Sequence, residues 1–174
     1  MTILGKYTKQ PVEVEVYSIQ FSQDFAVGDH ITSTWQIIAP VTAVAWDLVT
    51  QTAPYTALLT DAGRILVVTA SVTLPVGITD GYQLFVSNAS QASGITVGSF
   101  PVPARGAIAV TRKAGVWVSE ISSSSVLIDA GTDQRVRTFV TGGIAPTPYK
   151  VQVLVVTNEG RTLQDEFIVR LKEY

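Results

Sequence analysis

Apolar and polar residues alternate with a period of two along nearly the whole chain. No window keeps the i, i+3, i+4, i+7 spacing of an amphipathic helix long enough to outweigh its β-branched content. That periodicity commits the chain to sheets. In VEVEVYSIQF, Val12, Val14 and Val16 alternate with Glu13 and Glu15, and the apolar set then moves by one to Tyr17, Ile19 and Phe21. Such a slip predicts a β-bulge near Val16-Tyr17. HITSTWQII puts Ile31, Trp35 and Ile37 in phase with Ser33, against Thr32, Thr34 and Gln36, after the turn residues Gly28-Asp29. Beyond Pro40, VTAVAWDLV sets Val44, Trp46 and Leu48 against Ala43, Ala45 and Asp47. Phase therefore assigns Trp35 and Trp46 to the core.

The same grammar continues in RILVVT, SVTLPV, GYQLFVS, GITVGS, GAIAVT and GVWVSE, and then in SVLIDAG, RVRTFVTGG, YKVQVLVVT and DEFIVRLKEY. Many short strands separated by Gly and Pro turns predict an all-β protein, an antiparallel sandwich or barrel. Tyr149, Val151, Val153 and Val155 form one face of the penultimate run. Phe167, Val169 and Leu171 form the matching face of the last, with Gly160 supplying a positive φ in the turn between them. On this reading the chain ends at Tyr174 because the sheet is closed there.

Texture divides the chain. From Gln51 to Glu120 the only carboxylates are Asp61, Asp80 and Glu120, and the stretch is rich in Ala, Val, Thr and Gly. Gln51-Thr52-Ala53-Pro54 and Ser122-Ser123-Ser124-Ser125 bound it like connectors. The expected organisation is a discontinuous sandwich of residues 1–50 and 121–174, carrying residues 51–120 as an inserted β-module. A short Gly/Ser linker in place of 52–122 should then leave a fold that still unfolds cooperatively.

Composition closes off several function classes. Hydrophobic residues make up 47%, charged residues 15%, and the net charge is -2. That is enough apolar material for a sizeable core and too little positive charge to gather nucleic acid or an anionic membrane. With no cysteine there is neither a disulfide framework nor a thiolate metal site. Neither a secretory signal nor an apolar run of roughly 20 residues is present, which predicts a soluble protein made in the cytoplasm.

Two stretches resemble known families. KYTKQPVEVEVYSIQFSQDFAVGDHITSTW, with its Tyr-x-Ile-x-Phe strand and Gly-Asp-x-Ile turn, resembles the first half of a small immunoglobulin-like sandwich of tailed-bacteriophage structural proteins. RVRTFVTGG, Tyr149, Thr157-Asn158-Glu159-Gly160-Arg161 and FIVRLKEY resemble its second half. The middle cues YTALLTDAGRILVVT, GYQLFVSNAS, GITVGS and GVWVSE are similar to a compact β-module of tail-fibre proteins. The resemblance implies an immunoglobulin-like sandwich interrupted by a second small sandwich or barrel-like module. It further implies a non-enzymatic virion component, made in the host cytoplasm and assembled in symmetric multiple copies with tail, neck, fibre or capsid proteins. A fibre–tail adaptor and a capsid decoration protein are both compatible with it; the former is expected in about a dozen copies or fewer per particle.

No catalytic, metal or cofactor constellation stands out. His30 follows Asp29 at a strand start, with Asp24 upstream, and reads as a solvated turn histidine; no Gly-x-Ser-x-Gly elbow accompanies it. Asp129/Asp133 bracket Gly131 in a loop, and strand alternation sends Asp165 and Glu166 to opposite faces; both pairs read as surface residues, too sparse for a calcium loop. Gly142-Gly143 lacks the Lys-Ser/Thr of a phosphate loop and reads as a turn. The residues that suggest binding are Trp117 and Arg112 in a short hairpin, together with Arg135, Arg137 and Phe139, whose phase opposes that of Val136, Thr138 and Val140. A carbohydrate-binding platform of Trp35, Trp46, Trp117, Tyr55, Tyr82 and Phe85 is the alternative from another class.

Overall fold

Ile65, Leu66, Val67 and Val68 are consecutive strand residues and all four are buried. Ile65 and Val67 enter one apolar cluster and Leu66 and Val68 another, so this strand is covered on both faces. The computed structural model describes residues 3–9, 14–21, 25–42, 48–128 and 134–172, with the backbone alone at 3–9 and 126–128. Expectations for Val12, Asp24, Val44, Trp46, Asp129, Asp133 and Tyr174 fall outside the described residues.

The protein is all-β, and its described residues form three sheets. A central seven-stranded sheet runs β2 (Val14–Gln20), β13 (Arg135–Gly142), β12 (Val116–Ile128), β11 (Ala107–Lys113), β8 (Gln83–Asn88), β6 (Ile65–Val68) and β4 (Leu48–Gln51). A four-stranded sheet runs β1 (Ile3–Lys9), β15 (Thr162–Leu171), β14 (Pro148–Thr157) and β3 (Ile31–Pro40). A small sheet runs β10 (Phe100–Val102), β9 (Ile95–Val97), β7 (Val72–Thr73) and β5 (Tyr55–Thr56). Pairing is mixed rather than wholly antiparallel: β1 with β15, β4 with β6, β6 with β8, β5 with β7 and β7 with β9 are parallel. Short strands joined by crossing loops, not tight hairpins, make this geometry possible.

The larger core lies between the central and four-stranded sheets. It joins Tyr17, Ile19, Val136 and Val140 to Val151, Val153, Phe167 and Val169, and Tyr17 meets Phe167 with ring centroids 4.5 Å apart. Ile65, Val67, Phe85, Ala107 and Ala109 belong to this same core. Leu66, Leu84, Val86, Ile108 and Val110, on the alternate phase, pack with Val72, Val97 and Val102 of the small sheet in the second core. Three layers therefore stack over β6, β8 and β11.

The C-terminal hairpin has the predicted phase. Tyr149 faces Val169 and Val151 faces Phe167, all at most 1% exposed, and Gly160 closes the turn at φ 75°. Two phases differ from expectation. β2 pairs with β13 in unbroken register, without a bulge at Val16-Tyr17; Tyr17 and Ile19 point inward while Val14 and Val16 are exposed. On β3 the inward phase is Thr34, Gln36 and Ile38, opposite Val155, Val153 and Val151. A register shift beside Ser33 brings Ile31 opposite Thr157 as well, and Trp35, opposite Leu154, packs half-buried on the other phase.

Thr34 and Gln36 at those inward positions both find hydrogen-bond partners, although Gln36 Oε1 has none among the described residues. Thr34 Oγ1 donates to the Leu154 carbonyl at 2.9 Å, and Gln36 Nε2 donates to the Arg105 carbonyl at 3.1 Å. Gln91 completes the edge of β3: its Oε1 accepts from Thr34 N–H at 2.9 Å and its Nε2 donates to the Thr34 carbonyl at 2.8 Å. The Ser87 hydroxyl donates to the Gln36 carbonyl. One amide side chain and one hydroxyl thus stand in for the missing neighbour strand. The loop carrying Gln91 is held by buried Asn88, whose Nδ2 donates to the carbonyls of Ser93 and Pro103 at 2.9 Å each.

Candidate functional site

β13 alternates cleanly. Val136, Thr138 and Val140 are buried, Arg135 and Arg137 are exposed, and Phe139 is half-buried in the arginine phase, as the pattern predicts. Register sets Phe139 between Val16 of β2 and Ser124 of β12, Arg137 opposite Ser18, and Arg135 opposite Gln20. Val14 and Val16 are 59% and 52% exposed. The result is an apolar row beside a cationic row on an open sheet face. Among the described residues neither guanidinium has an acidic partner.

This face is the continuation of the one that the small sheet covers. Glu120 is the extra residue of a bulge between Ala109–Ile121 and Val110–Ser119, and it resets the alternation of β12. Trp117, Ser119, Ser122 and Ser124 consequently share one side. The small sheet ends where β10 meets β12, leaving β12, β13 and β2 as a ledge beside it.

Arg112 and Trp117 pair directly across the β11–β12 hairpin, whose turn holds Ala114 at φ 50° and Gly115 at φ 75°. The Trp117 ring packs against the second core, meets Tyr82 edge-on at 5.6 Å, and carries the Arg112 guanidinium 6.0 Å from its centroid. The structure therefore brings Arg112 to Trp117, and Arg135 and Arg137 to Phe139, as two separate groups. They are roughly 20 Å apart along β12 at the usual strand rise.

Buried carboxylates take structural roles. Glu120 accepts from the Thr111 hydroxyl, and from Gln83 Nε2 at 3.5 Å and the Tyr149 hydroxyl at 3.4 Å, tying β8, β11 and β14 to the bulge. Burial, with the Glu120 carboxylate beside it, pushes the Tyr149 hydroxyl up to about 12. Gly142 is required alongside: at φ 81°, a Cβ there would lie 2.9 Å from the Glu120 carbonyl. Asp61 accepts from Leu58 N–H at 2.7 Å and from the Tyr55 hydroxyl at 2.9 Å. Burial, with the Asp61 charge nearby, raises Tyr82 to about 12 and raises Tyr55 as well.

The region of His30 ties the two ends of the sequence together. Asp29 is buried and paired with Arg161, whose guanidinium holds the Asp29 carboxyl below its ordinary value. His30 N–H donates to Asn158 Oδ1 at 2.9 Å, and Asn158 N–H to the His30 carbonyl at 3.0 Å. His30 is half-buried, not the solvated turn residue expected. Asp165 and Glu166 lie within β15, as strand alternation predicts, but Glu166 is buried, with Lys150 Nζ 3.4 Å away, rather than at the surface. Among the described residues no three His, Asp or Glu side chains form a set able to hold a metal ion. A cavity of about 340 Å³ at Pro146, Pro148, Arg170, Leu171 and Lys172 carries no acid–base pair among its lining side chains.

Sequence reasoning missed the exposed valines of β2 and the bulge at Glu120. The VEVEV alternation fits an exposed valine face as well as a buried one. Glu120, the one carboxylate in VWVSEISSSSVLI, was the available signal for the bulge. No helix is long and apolar enough to cross a membrane among the described residues.

Residues 91–170 match a family model described as podophage GP4 fiber-tail adaptor protein gp77. The matched stretch includes the Arg112–Trp117 hairpin and the β12 and β13 portion of the ledge, but not β2. No curated protein matches the chain.

Proposed function

We propose that the protein is a non-enzymatic structural component of a tailed phage particle that links tail to fibres. The carrying observation is the match of residues 91–170 to a fiber-tail adaptor family, over the stretch that supplies Arg135, Arg137 and Phe139. An adaptor needs a stiff body and uncommitted surface. Three stacked sheets supply the first, and the ledge, with exposed arginines and apolar side chains, supplies the second. The buried carboxylates Asp29, Asp61 and Glu120 all serve hydrogen bonds or ion pairs within the fold. The Trp117 indole is engaged by Tyr82 and Arg112, which favours an interface or core role over a sugar-stacking platform.

In this reading residues 1–50 and 121–174 form an immunoglobulin-like sandwich whose larger core also takes Ile65, Val67 and Phe85 from the inserted residues 51–120, and the partners are other virion proteins in a symmetric multi-copy assembly. Stoichiometry against the major capsid protein in purified particles tests it. An adaptor is expected at about a dozen copies or fewer; hundreds would make it a capsid decoration protein, and absence would remove it from the particle.

A further inference from the structure

Phe21 N–H donates to the Gln134 carbonyl at 2.7 Å, which fixes the direction of every backbone group along β2. In an antiparallel ladder the N–H and C=O of alternate residues turn toward the same neighbour. Phe21, Ile19, Tyr17 and Glu15 therefore turn toward β13, and Val14, Val16, Ser18 and Gln20 turn outward. Strand β2 is the last of its sheet, and among the described residues nothing bonds to those outward groups. The same four residues put their side chains on the ledge.

Edge strands are ordinarily blunted by charge, proline, a bulge or a covering segment. Two other edges of this protein follow that rule. The edge of β3 is occupied by Gln91 and Ser87, and the three-residue β10 contains Pro101. By contrast β2 is seven residues long, regular in register, and shows the sequence Val, Val, Ser, Gln on its outward positions.

We propose that β2 is a strand-addition site, occupied by an extended segment of a partner protein that carries apolar residues followed by carboxylates. Backbone bonds to Val14, Val16, Ser18 and Gln20 would supply affinity, and the ledge would select the sequence. The added strand lies roughly 9.5 Å from β13, two strand spacings away. Ser18 is short, so the Arg137 side chain has a clear path over it to a carboxylate on that strand; Arg135 reaches past Gln20 in the same way. Apolar residues of the segment meet Val14 and Val16 next to Phe139. Arg135 and Arg137, unpaired among the described residues, select a foreign acidic segment over a second copy of this chain: Val, Val, Ser and Gln on a copied β2 would bring no carboxylate. This deepens the adaptor reading and rests on it only for the partner's residence in the particle.

The test uses the full chain and a fluorescein-labelled peptide of sequence Val-Thr-Val-Thr-Asp-Thr-Asp, with a lysine-for-aspartate peptide as control. Saturable binding of the first peptide is expected, weakening with salt, with amide-exchange protection appearing at Val14, Val16, Ser18 and Gln20. Joint Arg135→Glu and Arg137→Glu substitution should weaken it roughly tenfold, the scale of two exposed charge pairs. Val16→Pro removes an outward N–H without touching the β13 ladder and should abolish binding; Val16→Lys, which keeps the backbone donor, serves if the proline variant does not fold. No binding, equal binding of the lysine peptide, or protection elsewhere overturns the proposal. Concentration-dependent dimerisation lost in Val16→Lys assigns the edge to a second copy and also overturns it. Peptide binding by a protein absent from purified particles would leave the edge intact and remove the adaptor reading.

Discussion

The two halves of the central sheet share hydrogen bonding but not surroundings. Over β6, β8 and β11 both faces are buried, and consecutive residues such as Leu84, Phe85 and Val86 are all within 2% of full burial. Over β13 and β2 one face is buried and the other carries Arg135, Arg137, Val14 and Val16. Continuous apolar runs accordingly mark the covered half and alternation marks the open half. Among the described residues, the sheet is covered on both faces over β6, β8 and β11 and on one face over β13 and β2.

The strongest way to break this comparison is to replace residues 52–122 with a Gly/Ser linker. If the covered half matters only to its own small sheet, the remainder should still fold. The larger core, however, takes Ile65, Val67, Phe85, Ala107 and Ala109 from that stretch. Losing Ile65, Val67 and Phe85 alone removes roughly 1.5–3 kcal/mol each against a typical stability of about 5–15 kcal/mol. The expected outcome is loss of the cooperative urea transition and of dispersed amide resonances.

Single substitutions sharpen the same contrast. Phe85→Ala should cost about 3–5 kcal/mol in urea unfolding. Phe139→Ala, on the open half, should cost below about 1 kcal/mol. Equal costs would mean that the ledge is already covered. Next in size is Gln91→Ala, which strips both bonds from the Thr34 backbone and should cost about 1–3 kcal/mol.

How much of this was legible follows from where the constraint lies. Tyr149 to Leu171 could be read directly because a period of two, a turn glycine and one buried face fix register together. Arg135, Arg137 and Phe139 were legible for the same reason. Thr34 and Gln36 were not, because their inward placement depends on the carbonyls of Leu154 and Arg105, 120 and 69 residues away along the chain, and polar side chains otherwise read as solvent-facing. Val14 and Val16 misled in the opposite direction: an exposed valine edge carries the same local pattern as a core strand.

The smallest predicted effect concerns pH. Tyr149 and Tyr82 have folded values raised above the ordinary 10.0 to about 12. Groups raised in this way contribute stability that is complete below about pH 10 and is lost as pH climbs through the folded value. Unfolding midpoints should fall progressively across that window, and absorbance titration should show Tyr149 and Tyr82 among the phenols that ionise late, with Tyr55 also raised. Tyr149→Phe should flatten the decline in part while leaving the Tyr82 contribution.

The sequence by itself determined that this chain makes sheets, which strands pair as the final hairpin, and which residues of β13 point to water. Alternation and turn chemistry are local, and they act before any long-range contact forms. Only the tertiary structure decided that one sheet passes through both parts of the molecule, that Asp29 meets Arg161 and Gln91 meets Thr34, and that β2 is the last strand of its sheet among the described residues. Those outcomes depend on which strands become neighbours, and neighbour choice minimises unsatisfied backbone and exposed apolar area over the whole chain rather than within any one segment.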